Sequence, residues 1–207
     1  MSQRVLTEIW IYPIKSLAGI RLPKASVMGK GLRYDRRWML VDDQGRFLTQ
    51  REHPEMALFS ISMTTDSFHI LSHQKSTKGS SILLPFENKK LKTAMKVQIW
   101  DDEVNAEEVD PNLSNWFSEC LTLPCKLVFF PETNTRHVDI NYAKQNDQVS
   151  LADAYPYLII GESSLADLNE KLEDPIHMNR FRPNFVFTGG QAFEEDHWNN
   201  FRIGSIP

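Results

Sequence analysis

Apolar and polar side chains alternate over residues 5–11, Val-Leu-Thr-Glu-Ile-Trp-Ile, as a strand with one wet face requires. That run predicts a first strand, closed by Tyr12-Pro13-Ile14-Lys15-Ser16-Leu17-Ala18-Gly19, a loop punctuated by proline and glycine. Residues 20–28 read as a second strand, with Gly29 and Gly31 in the turn. From Arg33 to Asp42 the chain is charged at first and apolar afterwards, and Asp42-Asp43-Gln44-Gly45 predicts a hairpin turn into Phe47-Leu48-Thr49-Gln50. Arg51 ends that strand and His53-Pro54 breaks it. Further short strands are predicted at 57–62, 67–72, 80–85, 95–100 and 103–108, and Lys, Ser, Thr and Gly between 73 and 80 predict a mobile loop. Residues 1 to about 108 therefore read as nearly continuous β with turns, the pattern of a barrel or sandwich.

The first helical period falls over Pro111–Leu121. Asp110 is placed to cap this helix, Pro111 takes its first position, and Leu113, Trp116, Phe117 and Cys120 share a face that packs inward. Lys126 to Phe130 predicts a strand, and the polar stretch 131–149 a loop whose conspicuous side chains are Arg136 and His137; a histidine in such a loop is ordinarily solvated. Tyr155-Pro156-Tyr157-Leu158-Ile159-Ile160-Gly161 reads as a buried strand feeding a helix from Ser163 to Leu172, with Ser164 and Asp167 at capping-box spacing. A strand ending in Gly-Glu-Ser-Ser before a helix leaves free N–H groups at the positive dipole end, a mild anion attractor or simply an ordinary cap. Gln191 to Trp198 is an acidic turn with two aromatic anchors, and Ile203-Gly204-Ser205-Ile206-Pro207 reads as the start of another strand with no closing element.

The stretch with the densest chemistry is Asn179-Arg180-Phe181-Arg182-Pro183-Asn184. A residue before proline is disfavoured in the helical region, so Arg182 is expected extended, which would put Arg180 and Arg182 on one face of the chain. Guanidinium forks match phosphate or carboxylate and keep their charge. The alternative is a surface pair held by neighbouring acids. Lys15, Ser16, Arg36, Arg51, Arg180 and Arg182 all fall at ends of predicted strands, where sheets gather ligand groups, and two or three of them converging would make a phosphate site.

The 207 residues can form one large domain or two small ones, and a net charge of −4 argues against a nucleic-acid partner, so any anion site is a local pocket. Met1-Ser2-Gln3-Arg4-Val5 lacks the apolar core of a signal peptide and no run approaches a membrane span; the expected address is cytoplasmic. Cys120 and Cys125 read as buried thiols rather than a disulfide or zinc pair.

Six segments carry a resemblance: Tyr-Pro-Ile-Lys-Ser-Leu at 12–17, Gly-Leu-Arg-Tyr-Asp-Arg-Arg-Trp-Met-Leu-Val at 31–41, Phe-Leu-Thr-Gln-Arg at 47–51, Val-Gln-Ile-Trp-Asp-Asp at 97–102, Ala-Asp-Ala-Tyr-Pro at 152–156, and Arg-Phe-Arg-Pro-Asn at 180–184 with Gly-Gly and Phe-Glu-Glu-Asp-His-Trp behind it. In that order they resemble the two-part MOSC-domain proteins, similar to the bacterial YcbX-type proteins and the mitochondrial amidoxime-reducing components. The resemblance implies a mainly β fold with a few helices: an N-terminal β-barrel domain over 1–125 and an incomplete MOSC-type barrel over 126–207. It also implies the molybdenum cofactor (molybdopterin), a pterin dithiolene ending in a phosphate, and reduction of N-hydroxylated compounds with an electron-donor protein such as a ferredoxin-like or flavin reductase.

Carried over by position, Lys15, Ser16 and Arg36 would hold the cofactor phosphate, and Arg182 and Asn184 would meet the pterin or its phosphate. Arg51, Arg180, Ser163 and Ser164 would join the same pocket. The family's molybdenum-ligating cysteine lies beyond the Phe-Glu-Glu-Asp-x-Trp segment, and neither Cys120 nor Cys125 is in the matching place. The expectation is a truncated form with most of the phosphate grip, no metal ligand and no turnover. The alternatives are a non-catalytic cofactor or sulfur carrier, a phosphate-ligand-binding β domain, or an interaction domain. MOSC domains are also linked to pyridoxal phosphate enzymes, but no lysine here reads as a Schiff-base site.

Overall fold

The computed structural model describes residues 3–87, 93–143 and 146–206. In chain order the strands are β1 (Val5–Ile11), β2 (Ile20–Leu22), β3 (Val27–Met28), β4 (Gly31–Leu32), β5 (Trp38–Val41), β6 (Phe59–Met63), β7 (Ser67–Ser72), β8 (Ser81–Pro85), β9 (Thr93–Ile99) and β10 (Asp102–Glu108). Helix α1 (Pro111–Leu121), β11 (Lys126–Phe129), β12 (Ile159–Gly161), α2 (Glu162–Asn169) and β13 (Phe185–Thr188) follow, with short 3-10 turns at Pro54–Leu58, Met178–Arg180 and Glu194–His197. The protein is thus mostly β, as its alternation requires. Among the described residues no helix is long and apolar enough to cross a membrane.

Contacts divide the chain into two compact units, each assembled from separate stretches of sequence. One takes Met1–Ile11, Arg21–Ser26 and Tyr157–Pro207; the other takes Tyr12–Ile20 and Val27–Pro156. In the first, the sheet order is β12-β13-β1-β2. Strand β1 runs antiparallel to β13, with Val5 opposite Thr188 and Ile9 opposite Phe185, and a bulge between Leu6 and Glu8; β12 is parallel to β13. The long connection from β12 to β13 runs through α2, as a parallel pair requires.

In the second unit the sheet β5-β11-β10-β9 encloses a core of Met39, Val41, Val97, Ile99, Val104, Ala106, Val128, Phe130 and Leu151. A second sheet, β6-β7-β8, brings Phe68 edge-on to the buried Trp38 ring, 5.6 Å away, and Phe129 tilts against the same ring at 5.1 Å. Helix α1 forms where its signals place it: the Asp110 carboxylate accepts from the Asn112 N–H at 2.9 Å, and Leu113, Phe117 and Cys120 are buried. Cys120 and Cys125 are free and buried, in keeping with the sequence.

Several local expectations are corrected. Residues 20–28 hold two short strands, because Pro23 cannot donate to a ladder. Phe47 makes only an isolated bridge to Val41, so the second arm of that hairpin is not a strand. The buried strand expected from 155 to 161 shrinks to Ile159–Gly161, half-buried at Ile159 and Ile160, with Pro156 excluded from it. Residues 74–80 are a hydrogen-bonded turn in which Gly79 N–H reaches Ser72 C=O. At the other end, Ile203 and Ile206 close a tight turn on themselves rather than opening a strand; Pro207 lies outside the described residues.

Candidate functional site

The loop after β1 and the turn before β5 are distant in sequence but zipped together by backbone bonds. Arg36 N–H donates to Tyr12 C=O at 2.9 Å, Trp38 N–H to Pro13 C=O at 3.1 Å, and Lys15 N–H to Trp38 C=O at 2.8 Å. Gly19 completes the loop, since a Cβ there would lie 2.4 Å from the Tyr12 ring. The zip sets three cation-bearing positions. Arg36, held at φ +46, lays its guanidinium 4.5 Å from the Tyr12 ring centre and donates to Asp35 at 2.5 Å. Arg37 turns instead to the Phe130 carbonyl and to Glu132, a structural use. Ser16, at φ +65, accepts on its carbonyl oxygen from the Gln50 side chain at 2.6 Å.

Lys15 is the centre of the cluster. It is 5% exposed, and its ammonium donates to Leu151 C=O at 3.0 Å and to Asp153 Oδ1 at 2.5 Å. Its Nζ also lies 5.4 Å from the Phe47 ring centre and 5.9 Å from that of Trp100. Burial pushes the Lys15 pKa down, Asp153 restores part of the loss, and the Arg136 and Arg36 charges lower it again, to about 8. Burial raises the Asp153 carboxyl, but the Lys15 ammonium, the Trp100 indole N–H at 3.1 Å and the charge of Arg51 outweigh it and hold Asp153 below its usual range.

Trp100 owes its place to the hairpin between β9 and β10. Ile99 pairs with Asp102, leaving Trp100-Asp101 as a two-residue turn with Trp100 at φ +54, an uncommon conformation for a bulky side chain. The Arg51 guanidinium carbon lies 5.2 Å from the Trp100 ring centre, and Arg51 is exposed with no hydrogen bond or ion pair among the described residues. A cleft of about 360 Å³ there is lined by the cations Arg46 and Arg51 and the acids Glu52 and Asp101, with Phe47 and Trp100 among its other walls.

Arg136 fixes the other wall. It is 6% exposed, bonds Asp102 at 2.7 Å, and donates to the carbonyls of Ser150, Ala152 and Asp153 at 3.0, 2.5 and 3.1 Å. Those bonds present Leu151 C=O and Asp153 to Lys15. An ammonium has three donors and Lys15 uses two on protein groups, so the cluster retains one buried donor and an exposed guanidinium for an incoming oxyanion, while the Trp100 N–H is held by Asp153.

The remaining sequence candidates lie in the other unit. Arg180 closes a 3-10 turn and is exposed, and Arg182 sits at φ +58, so the expected extended, same-face pair does not form. The pre-proline clash excludes the right-handed helical region but not the left-handed one, and Arg182 N–H caps the turn onto Asn179 C=O at 3.3 Å. Asn184 is 1% exposed; its Oδ1 accepts from Leu158 N–H at 3.2 Å and its Nδ2 donates to Trp10 C=O at 3.2 Å. Replacing Asn184 by alanine strands both backbone groups and is expected to cost about 2 kcal/mol in urea unfolding.

Ser164 is not a helix cap, because α2 begins at Glu162 behind Gly161. The Glu195 carboxylate occupies that terminus, accepting from Gly161 N–H at 2.8 Å and from Ser164 Oγ at 2.6 Å, while Ser163 Oγ donates to Gly190 C=O. The anion attractor expected there is filled by the protein's own acid.

Sequence reasoning passed over Trp100 and Asp153, and marked Arg136 as conspicuous without giving it a role. Among the described residues no three His, Cys, Asp or Glu side chains are grouped to hold a metal ion.

Residues 3–124 match the MOSC N-terminal beta barrel domain and residues 146–206 the MOSC domain. Over 97% of its length the chain is 31% identical to mitochondrial amidoxime-reducing component 1 of Mus musculus and of Homo sapiens, and over 96% it is 28% identical to a molybdenum cofactor sulfurase of Oryza sativa subsp. japonica. It spans 60% and 61% of the two amidoxime-reducing components and 26% of the sulfurase.

Proposed function

Because the chain belongs to the MOSC family, we propose that it holds the molybdenum cofactor and serves, in the whole protein, the reduction of N-hydroxylated compounds with electrons from a donor protein. The observation that carries this reading is the buried Lys15 ammonium, with a donor to spare, beside the Trp100 ring that Arg51 also meets. This donor set fits a phosphate monoester: charge-assisted, oriented and partly dehydrated. Lys15, Arg51 and the Arg36 charge would hold the phosphate, with the Ser16 hydroxyl beside them.

The cofactor supplies the redox chemistry when bound. The chain's own residues bind, orient and neutralise. Lys15 counters phosphate charge, and its burial makes that charge count for more than it would in water. Trp100 offers an apolar ring, its N–H being donated to Asp153.

The test is the molybdenum and pterin content of protein purified from a molybdate-fed host, for wild type, Lys15→Ala and Arg51→Ala. Pterin is expected with wild type and lost from both variants. Wild-type protein carrying neither pterin nor molybdenum overturns the proposal.

A further inference from the structure

The Lys15 cluster holds an anion already, and it is part of the chain. Asp153 Oδ1 takes both the Lys15 ammonium, at 2.5 Å, and the Trp100 indole N–H, at 3.1 Å, while its second oxygen has no hydrogen-bond partner among the described residues. The two ends of this pair live in different surroundings: the Lys15 side chain is 6% exposed and that of Asp153 is 64% exposed. Water can receive the carboxylate if it leaves, but the buried ammonium left behind would be uncompensated. Only another anion can take its place.

The backbone is arranged so that the side chain can leave alone. Arg136 grips the carbonyls of Ser150, Ala152 and Asp153 itself, so the main chain stays fixed while the Asp153 carboxylate turns about its own bonds. Its departure frees donors on Lys15 and Trp100 together, next to the guanidinium of Arg51.

We propose that Asp153 is a built-in placeholder, an internal carboxylate that occupies the Lys15 and Trp100 donors until an incoming phosphoryl group displaces it, and that it thereby selects phosphoryl groups over carboxylates. A monocarboxylate offers the site no more than Asp153 already does, and it must also surrender its own freedom to bind. A phosphate brings a second charge and further acceptor oxygens, which Arg51 and the spare Lys15 donor can use. Discrimination then comes from the cost of displacement as well as from contacts made.

This inference rests on the anion-site reading of Lys15. The experiment is calorimetric titration of wild type, Asp153→Asn and Asp153→Ala with inorganic phosphate, phenyl phosphate and acetate. Both variants are expected to bind the two phosphates roughly tenfold tighter, as when a binding-competent state held at about a tenth of the population becomes dominant. Acetate, silent with wild type, is expected to bind the variants. The preference of wild type between phenyl and inorganic phosphate tells a ring-borne monoester from the free ion. Phosphate binding that is unchanged or weaker in both variants overturns the placeholder while leaving the anion site standing; no binding by wild type or either variant overturns both. In unmodified protein the Trp100 indole N–H resonance is expected to move on phosphate addition, because its acceptor changes. An indole resonance that stays put at saturating phosphate overturns the proposal without any variant.

Discussion

Replacing Arg136 by alanine is expected to lower the free energy of unfolding by about 3 kcal/mol, read from urea denaturation. The side chain is buried, and its guanidinium serves three backbone carbonyls besides Asp102. Asp102 is half exposed and can be rehydrated, so the loss falls mainly on the carbonyls of Ser150, Ala152 and Asp153. Lysine at 136 keeps the charge but replaces a planar fork by a point donor, and is expected to recover less than half of the loss. A variant within about 0.5 kcal/mol of wild type, the range of an ordinary surface change, would show that these bonds add nothing net.

The second large effect depends on pH. Lys15 titrates near 8 in the folded protein, below its ordinary 10.5. Between those values the unfolded chain binds a proton that the folded chain does not, so stability rises with pH across that window. The cost of burying the charged ammonium is present in full below about pH 8 and is gone above about 10.5. A shift of that size corresponds to about 3 kcal/mol. Wild type is therefore expected to gain about 3 kcal/mol on Lys15→Met between these limits, because methionine carries no proton while every other titrating group is shared. Stability curves for the two proteins that run parallel from pH 7.5 to 10.5 would mean that the Lys15 charge is not held at a cost.

Elements whose signals are local were legible in the chain. Helix α1 needs only Asp110, Pro111 and an apolar face at the right period, and it forms over the residues so marked. Strands β1, β7 and β10 follow their alternation to within a residue. Where a proline lay inside a run, at Pro23 or Pro156, the strand was shorter than its apolar content suggested. The pre-proline rule failed at Arg182 for a specific reason: it removes one backbone region, and the chain used another that arginine seldom visits.

The candidate site was legible in part. Lys15, Arg36 and Arg51 do gather, because strand ends gather. Nothing local marks Asp153 as the partner of Lys15, 138 residues away, or Trp100 as the ring beside them. Such pairings depend on which loops the sheets bring together. Only the positive φ that the tight turn imposes on Trp100 marks it out, and strain of that kind exists in the folded backbone rather than in the sequence.

The pairing of β1 with β13 has a consequence for synthesis. Thr7, in β1, finds its acceptor on Val186, 179 residues later. At 5–20 residues per second, β1 waits roughly 10–40 s for its neighbour. Residues 27–156 emerge in that interval and carry most of the second unit, so that unit can close around its own core first. Until then β1 has only the three-residue β2 beside it and its other edge is open, and a chaperone that shelters nascent chains has its natural client there.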